Sequence, residues 1–238
     1  MKFLSLNQKT DLAENRKKPI AESFKMRSFW KKDAVISIKL DEDCYSLAQM
    51  ANDNAQMRFF TIFNQTDEWK GTDLGKIEPL FSVFIGNVVI QRLGQRRVPI
   101  NEVNPSKLPC DQLFIEPICN ADGYRIRNEF WQKAGNLVDL GPGARIAGCD
   151  APVIKPELNI EKNINEIINY EMTNMWGDNN VRKRLLMQKE RNINIDQFKF
   201  FVFPGLLERL KLKESDFDWT DLKTKPSNFF KGLSVAKL

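Results

Sequence analysis

The sequence predicts an α+β fold: an N-terminal curled antiparallel β-sheet or partly open barrel, with a C-terminal helical region packed on it. Two observations carry this. From Asp33 to Ile90, apolar and polar residues alternate at the period of two expected of strands with one buried face, and the alternation breaks at turn-forming clusters. From Glu157 onward the spacing becomes 3.6, with Ile160, Ile164, Ile167, Ile168 and Met175 at helical intervals. The change of period near Pro156 divides the 238 residues into a loosely ordered N-terminal arm at 1–30, a sheet-rich domain at 31–155 and a helical C-terminal region at 156–238.

The first strand is predicted around Val35, Ile36, Ile38 and Leu40, with Ser37 and Lys39 interleaved. Asp41, Glu42 and Asp43 follow; three carboxylates resist burial, and Asp closes turns by bonding its own backbone. Cys44 to Met50 then reads as the returning strand of a hairpin. A third run, MRFFTIF from Met57 to Phe63, has the aromatic and β-branched content that fits a pleated surface. A loop from Asn64 to Lys76 leads to a fourth strand, Leu80 to Ile90, in which Gly86 and Asn87 predict a bulge or bend. Gln112 to Ile118 reads as a further strand whose Pro117 places it near an edge. Asn120 to Gly123 forms a turn cluster before Tyr124, Ile126 and Phe130.

Gly141-Pro142-Gly143 and Gly148 fit neither the phosphate-binding loop nor the dinucleotide fingerprint, so a tight turn is expected, followed by an extended connection from Ala151 to Pro156. Two helices are expected next, from about Glu157 to Trp176 and from about Asn179 to Arg191, with Gly177 stopping the first and Asp178 capping the second. Phe198 to Phe203 reads as a strand or a segment packed on the sheet. Pro204 is placed for the first turn of a short helix through Leu206, Leu207 and Leu210. Ser215, Asp218 and Trp219 form a capped turn, and Pro226, Phe229 and Phe230 close the tail.

Composition narrows function mainly by exclusion. A hydrophobic content of 42% with 28% charged residues is ordinary for a soluble globular chain. The Phe3, Leu4 and Leu6 run is too short for a signal peptide, and no apolar stretch reaches the ~20 residues of a membrane span, so a cytoplasmic location is expected. Cys44, Cys110, Cys119 and Cys149 show no C-x-x-C spacing, which predicts free thiols and neither zinc nor a redox pair. There is no histidine, which removes the commonest general base and metal ligand. Asp216, Asp218 and Asp221 lack the glycine and distal glutamate of a calcium loop. No catalytic residue, cofactor or metal site is therefore expected, and the chain is read as a non-enzyme. The net charge of +5 is dispersed over Arg16 to Lys18, Lys31 and Lys32, Arg96 and Arg97, and Arg182 to Arg184, which makes a nucleic-acid partner unlike this pattern. A nucleic-acid-associated or general interaction module stands as the alternative function.

The strand pattern carries a resemblance. Asp33-x-Val35, Ile38-x-Leu40-Asp41, Tyr45-x-Leu47-Ala48, Arg58-Phe59-Phe60 and Pro79-Leu80-Phe81-Ser82-Val83 resemble the immunity protein 26 family of bacterial polymorphic toxin systems, over roughly the N-terminal half. Members of that family often carry a Gly-rich hairpin and a Trp after the last strand, where this chain has Cys44 to Ala48 and Gly94-Gln95-Arg96-Arg97. The resemblance implies a stoichiometric inhibitor that protects its producer by binding a cognate toxin. Toxins that attack nucleic acid present basic surfaces, so acid beside anchoring aromatics is the expected binding chemistry. Asp41, Glu42, Asp43 and Tyr45, with the loop residues Asp67, Glu68, Trp69 and Asp73, are the best such combination in the N-terminal half; the alternative is that Trp69 is core and the carboxylates only solvate a turn.

Overall fold

The alternation in the first half folds into consecutive strands, seen in a computed structural model that describes residues 30–117, 135–144, 151–220 and 225. In chain order the strands are β1 (Val35–Asp41), β2 (Cys44–Met50), β3 (Gln56–Asn64), β4 (Thr72–Asp73), β5 (Pro79–Ile85), β6 (Gly94–Val98), β7 (Val103–Asn104), β8 (Leu113–Pro117), β9 (Gly135–Asp139), β10 (Val153–Leu158) and β11 (Met175–Trp176). The α-helices are α1 (Asn87–Leu93), α2 (Ile164–Asn169), α3 (Asp178–Arg191), α4 (Lys199–Val202) and α5 (Leu206–Arg209).

Six strands form the main sheet in the order β11-β5-β3-β2-β1-β6, antiparallel throughout except for the parallel β11–β5 edge. The sheet ends in two distinct edges and, among the described residues, does not close into a barrel. A three-stranded antiparallel sheet, β10-β9-β8, and a short parallel pair, β4-β7, complete the α+β architecture.

Strand periodicity assigns the two faces of the main sheet. One face presents Ile36, Ile38, Ala48, Phe59, Phe81 and Val83, which share a core with Val89 and Leu93 of α1 and Val181 and Leu185 of α3. Removing a ring such as Phe59, fully buried there, costs about 3–5 kcal/mol in comparable cores. On the other face, Val35, Leu47 and Phe60 collect Trp69, Leu74, Val98 and Val103. Farther along this face Phe84 meets Phe114 at a centroid separation of 5.0 Å and joins Val138, so the three-stranded sheet packs here.

Between these apolar patches the second face is polar. Cross-strand neighbours Gln49 and Arg58, together with Gln56, hold the segment 106–111 against the sheet. Gln49 exchanges two 2.8 Å hydrogen bonds with the Ser106 backbone, and Gln56 donates to the Asp111 carbonyl at 2.9 Å. Arg58 donates to the carbonyls of Leu108 and Pro109 at 3.3 and 2.6 Å. The side chains thus supply the donors that this irregular segment lacks by having no strand partner.

Several sequence expectations need correction. The helix expected from Glu157 to Trp176 is instead the end of β10, a turn, α2 and β11. Glu157 has a left-handed φ of 47°, which no helix accommodates, and Asn159 and Asn163 spend their side chains on turn hydrogen bonds to the backbone. The connection expected from Ala151 to Pro156 pairs as β10 with β9. The strand expected through Ile90 ends at Ile85, and Gly86 leads into α1, because Val89, Ile90 and Leu93 are buried at helical spacing. Phe198 to Phe203 is no strand: it holds the short helix α4, which shares a second core with Ile115 and Leu137 of the three-stranded sheet and with Ile167, Leu206 and Trp219. Asp178 lies in the first turn of α3 without capping it, and its carboxylate pairs with Arg92 at 3.2 Å. The tight turn at Gly141 to Gly143 is present, with Gly141 at φ 71°. The N-terminal arm up to residue 29, and Tyr124, Ile126, Phe130, Cys119, Cys149, Gly148, Pro226, Phe229 and Phe230, lie outside the described residues. Among those described, no helix is long and apolar enough to cross a membrane.

Candidate functional site

The β1–β2 hairpin places Glu42 and Asp43 at a two-residue turn, since Asp41 pairs with Cys44. All three carboxylates, Asp41, Glu42 and Asp43, are exposed. Asp41 steadies the turn by accepting from the Glu42 backbone N–H at 2.9 Å. Tyr45 is half-buried: its ring packs on the cluster around Trp69, and the Lys39 ammonium sits 5.5 Å from its centroid. Arg92, Gln95 and Arg182 line a shallow depression with Lys39, Asp41 and Glu42, so the acidic tip is flanked by cations.

In the loop after β3 the core alternative for Trp69 is the one realised. Trp69 is only 1% exposed and belongs to the core, so it is not a surface anchor. Its place follows from indole chemistry, with a large apolar body among Val35, Leu47 and Phe60 and one N–H that needs an acceptor. That N–H donates to Asp67 Oδ1 at 2.7 Å and Ser37 Oγ at 3.2 Å. Arg96 pairs with the second Asp67 oxygen at 3.0 Å and with Glu102 at 2.7 Å. The Glu102 hydrogen bond, followed by Asp67, raises the Arg96 pKa. Asp67 is therefore engaged within the fold. Asp73 accepts from Gly75 N and Asn104 Nδ2, both at 3.0 Å, and faces Lys76. Glu68 is exposed, while its carbonyl accepts from Asn64 at 2.7 Å. The fold gathers Tyr45, Asp67 and Trp69 around one cluster, leaves Asp41, Glu42, Asp43 and Glu68 to solvent, and uses Asp73 to hold β4 and β7 together.

Sequence reasoning missed a buried quartet of charges. Arg184 donates to both oxygens of Glu171 at 2.8 and 2.6 Å and to Asn194 at 2.6 Å, with its guanidinium 4.0 Å from the Phe81 centroid. Lys199, fully buried, donates to the Ile168 carbonyl at 3.1 Å. Asp196 accepts from the Phe198 backbone at 2.9 Å, and its other oxygen has no hydrogen-bond partner. Burial works against charge on Glu171, yet Arg184 and Lys199 outweigh it and hold its carboxyl below the usual range. Burial and the Glu171 charge push Asp196 up to about 6. Burial lowers the Lys199 pKa. A sequence signal existed for Arg184: it lies three residues after Val181 and directly before Leu185, on the apolar stripe of α3 and not among its solvated basic residues.

Among the described residues no group of three or more His, Cys, Asp or Glu side chains is placed to hold a metal ion. Cys44 and Cys110 are free thiols; Cys44 accepts from Lys189 at 3.2 Å, and Cys110 donates to the Pro142 carbonyl at 3.3 Å.

No curated protein and no solved structure matches the chain. One family model does, over residues 25–208, and that span runs from before the main sheet into α5. The chain therefore belongs to the DUF8309 family, described as a domain of unknown function.

Proposed function

We propose that the protein is an immunity protein that binds and neutralises a cognate bacterial toxin as a stoichiometric inhibitor in the producer's cytoplasm. The observation that carries the reading is the β1–β2 hairpin tip, where Asp41, Glu42 and Asp43 project together into solvent from two interior strands of the main sheet. The sequence pattern resembling immunity protein 26 falls on β1, β2, β3 and β5, the strands that support this tip. A fixed cluster of like charge steers a basic partner and accelerates encounter, while an adjacent half-buried aromatic supplies contact area. The proposed face is Asp41, Glu42 and Asp43 with the exposed part of Tyr45 and with Glu68. Trp69 and Asp67 support it from within.

The test takes its candidate partners from the products of the genes flanking this one, toxin-domain proteins first. Association is followed at two salt concentrations for the wild type and for Asp41→Lys combined with Asp43→Lys. The expected outcome is slower association with a weaker salt dependence, while folding stability stays within about 0.5 kcal/mol because the tip is exposed. Failure to form a complex, or association unaffected by the reversal, overturns the reading.

A further inference from the structure

Arg58 is 2% exposed, yet among the described residues no carboxylate lies within ion-pairing distance of it. Among the described residues its guanidinium hydrogen bonds go to the Leu108 and Pro109 carbonyls, which account for two of its five N–H groups. A buried cation without a counter-charge is costly, and a protein normally pairs it or excludes it. Beside it, the hydroxyl of Ser82, the cross-strand partner of Arg58, is also buried and has no hydrogen-bond partner among the described residues. Two adjacent polar groups on the same sheet face are thus left incompletely satisfied.

Both residues line an open groove of about 500 Å³ between β5, the segment 108–112 and the residues just after α2. The walls are largely apolar, with Leu80, Phe81, Leu113 and Phe114, and Leu108 stands 55% exposed at the rim. That volume suits a small organic molecule. We infer that this groove binds an organic monocarboxylate with an apolar tail, its carboxylate meeting the Arg58 guanidinium and its tail lying along Leu80 and Leu113. A guanidinium fork matches a carboxylate. A phosphate dianion fits less well, because among the described residues one partly engaged arginine is the single cation lining the groove, and Asp111 and Glu171 line it too. The site is separate from the hairpin tip and does not depend on the toxin-binding reading.

Isothermal titration of the full chain with octanoate tests it, with octanamide as the neutral isostere and inorganic phosphate as the competing anion. Saturable one-to-one binding of octanoate is expected, with octanamide and phosphate each weaker by about tenfold or more. Arg58→Met should abolish octanoate binding. Because that variant removes two hydrogen bonds from the fold, Leu108→Asp serves as the second: at an exposed rim position it should leave folding intact and weaken octanoate by about fivefold or more through charge repulsion. Absence of saturable octanoate binding, equal binding of octanamide or phosphate, or unchanged affinity in Leu108→Asp overturns the proposal.

Discussion

The surroundings of Arg184 and Arg58 make an instructive pair. Both arginines are buried, at 5% and 2% exposure, and both sit against β5. Arg184 receives a bidentate carboxylate from Glu171, a side-chain carbonyl from Asn194 and an aromatic face from Phe81. Arg58 receives two backbone carbonyls. Burial lowers the Arg58 pKa, against the more distant charges of Asp111 and Asp33. The difference separates two uses of one residue type. Around Arg184 the chain supplies the counter-charge itself, and the result ties the segment between α2 and β11 to α3 and the main sheet. Around Arg58 the cation faces a groove, and the missing charge is one that a ligand can bring.

The largest expected effect lies on the Arg184 side. Arg184→Met leaves Glu171 buried without its bidentate partner and should destabilise the fold by about 3–5 kcal/mol in urea unfolding. A loss below about 1 kcal/mol would remove the contrast with Arg58. Replacing both partners, as Glu171→Leu with Arg184→Met, should recover much of that loss, since no uncompensated charge of the pair then remains.

A smaller effect appears as pH dependence within the same quartet. The Asp196 carboxyl, raised from an ordinary 3.8 to about 6, binds its proton more tightly in the folded chain than in the unfolded one. Its contribution is fully present below the unfolded value and is lost as pH rises through the folded one, on the order of 3 kcal/mol for that shift. Glu171 has the opposite sign. Held below its ordinary 4.5, it contributes stability that is present above that value and lost as pH falls through its folded pKa. Between pH 3.8 and about 6, unfolding free energy should therefore carry a downward slope from Asp196 that Asp196→Asn removes. An unchanged slope in that variant would place the proton elsewhere.

The two halves of the molecule also differ in how far their sequence could be read. The strands from Val35 to Ile85 were legible because alternation and acidic turns are local, and the hairpin at Asp41 to Asp43 falls where those residues put it. The helix expected from Glu157 was not there, because the isoleucines that set its period serve a core completed by Phe200, Phe203 and Leu206, more than thirty residues on. Local asparagine turns and a left-handed Glu157 then override the period. Trp69 shows the same limit at the candidate site. Its neighbours Asp67 and Glu68 suggested exposure, whereas it is buried among Val35, Leu47, Phe60 and Val98 and donates to Ser37, none of them near it in sequence. Arg58 stood in plain view in the alternation beside Phe59 and Phe60, but its lack of a carboxylate is a property of the assembled fold.

Two double-mutant cycles, run side by side by urea unfolding in the absence of added carboxylate, test the contrast most directly. One pairs Arg184→Met with Glu171→Gln, and the other pairs Arg58→Met with Asp111→Asn, the acid whose charge acts most on Arg58. The first should give a coupling of about 2 kcal/mol or more, and the second less than about 0.5 kcal/mol. Couplings of similar size would show that Arg58 already has its counter-charge within the chain and would contradict the account.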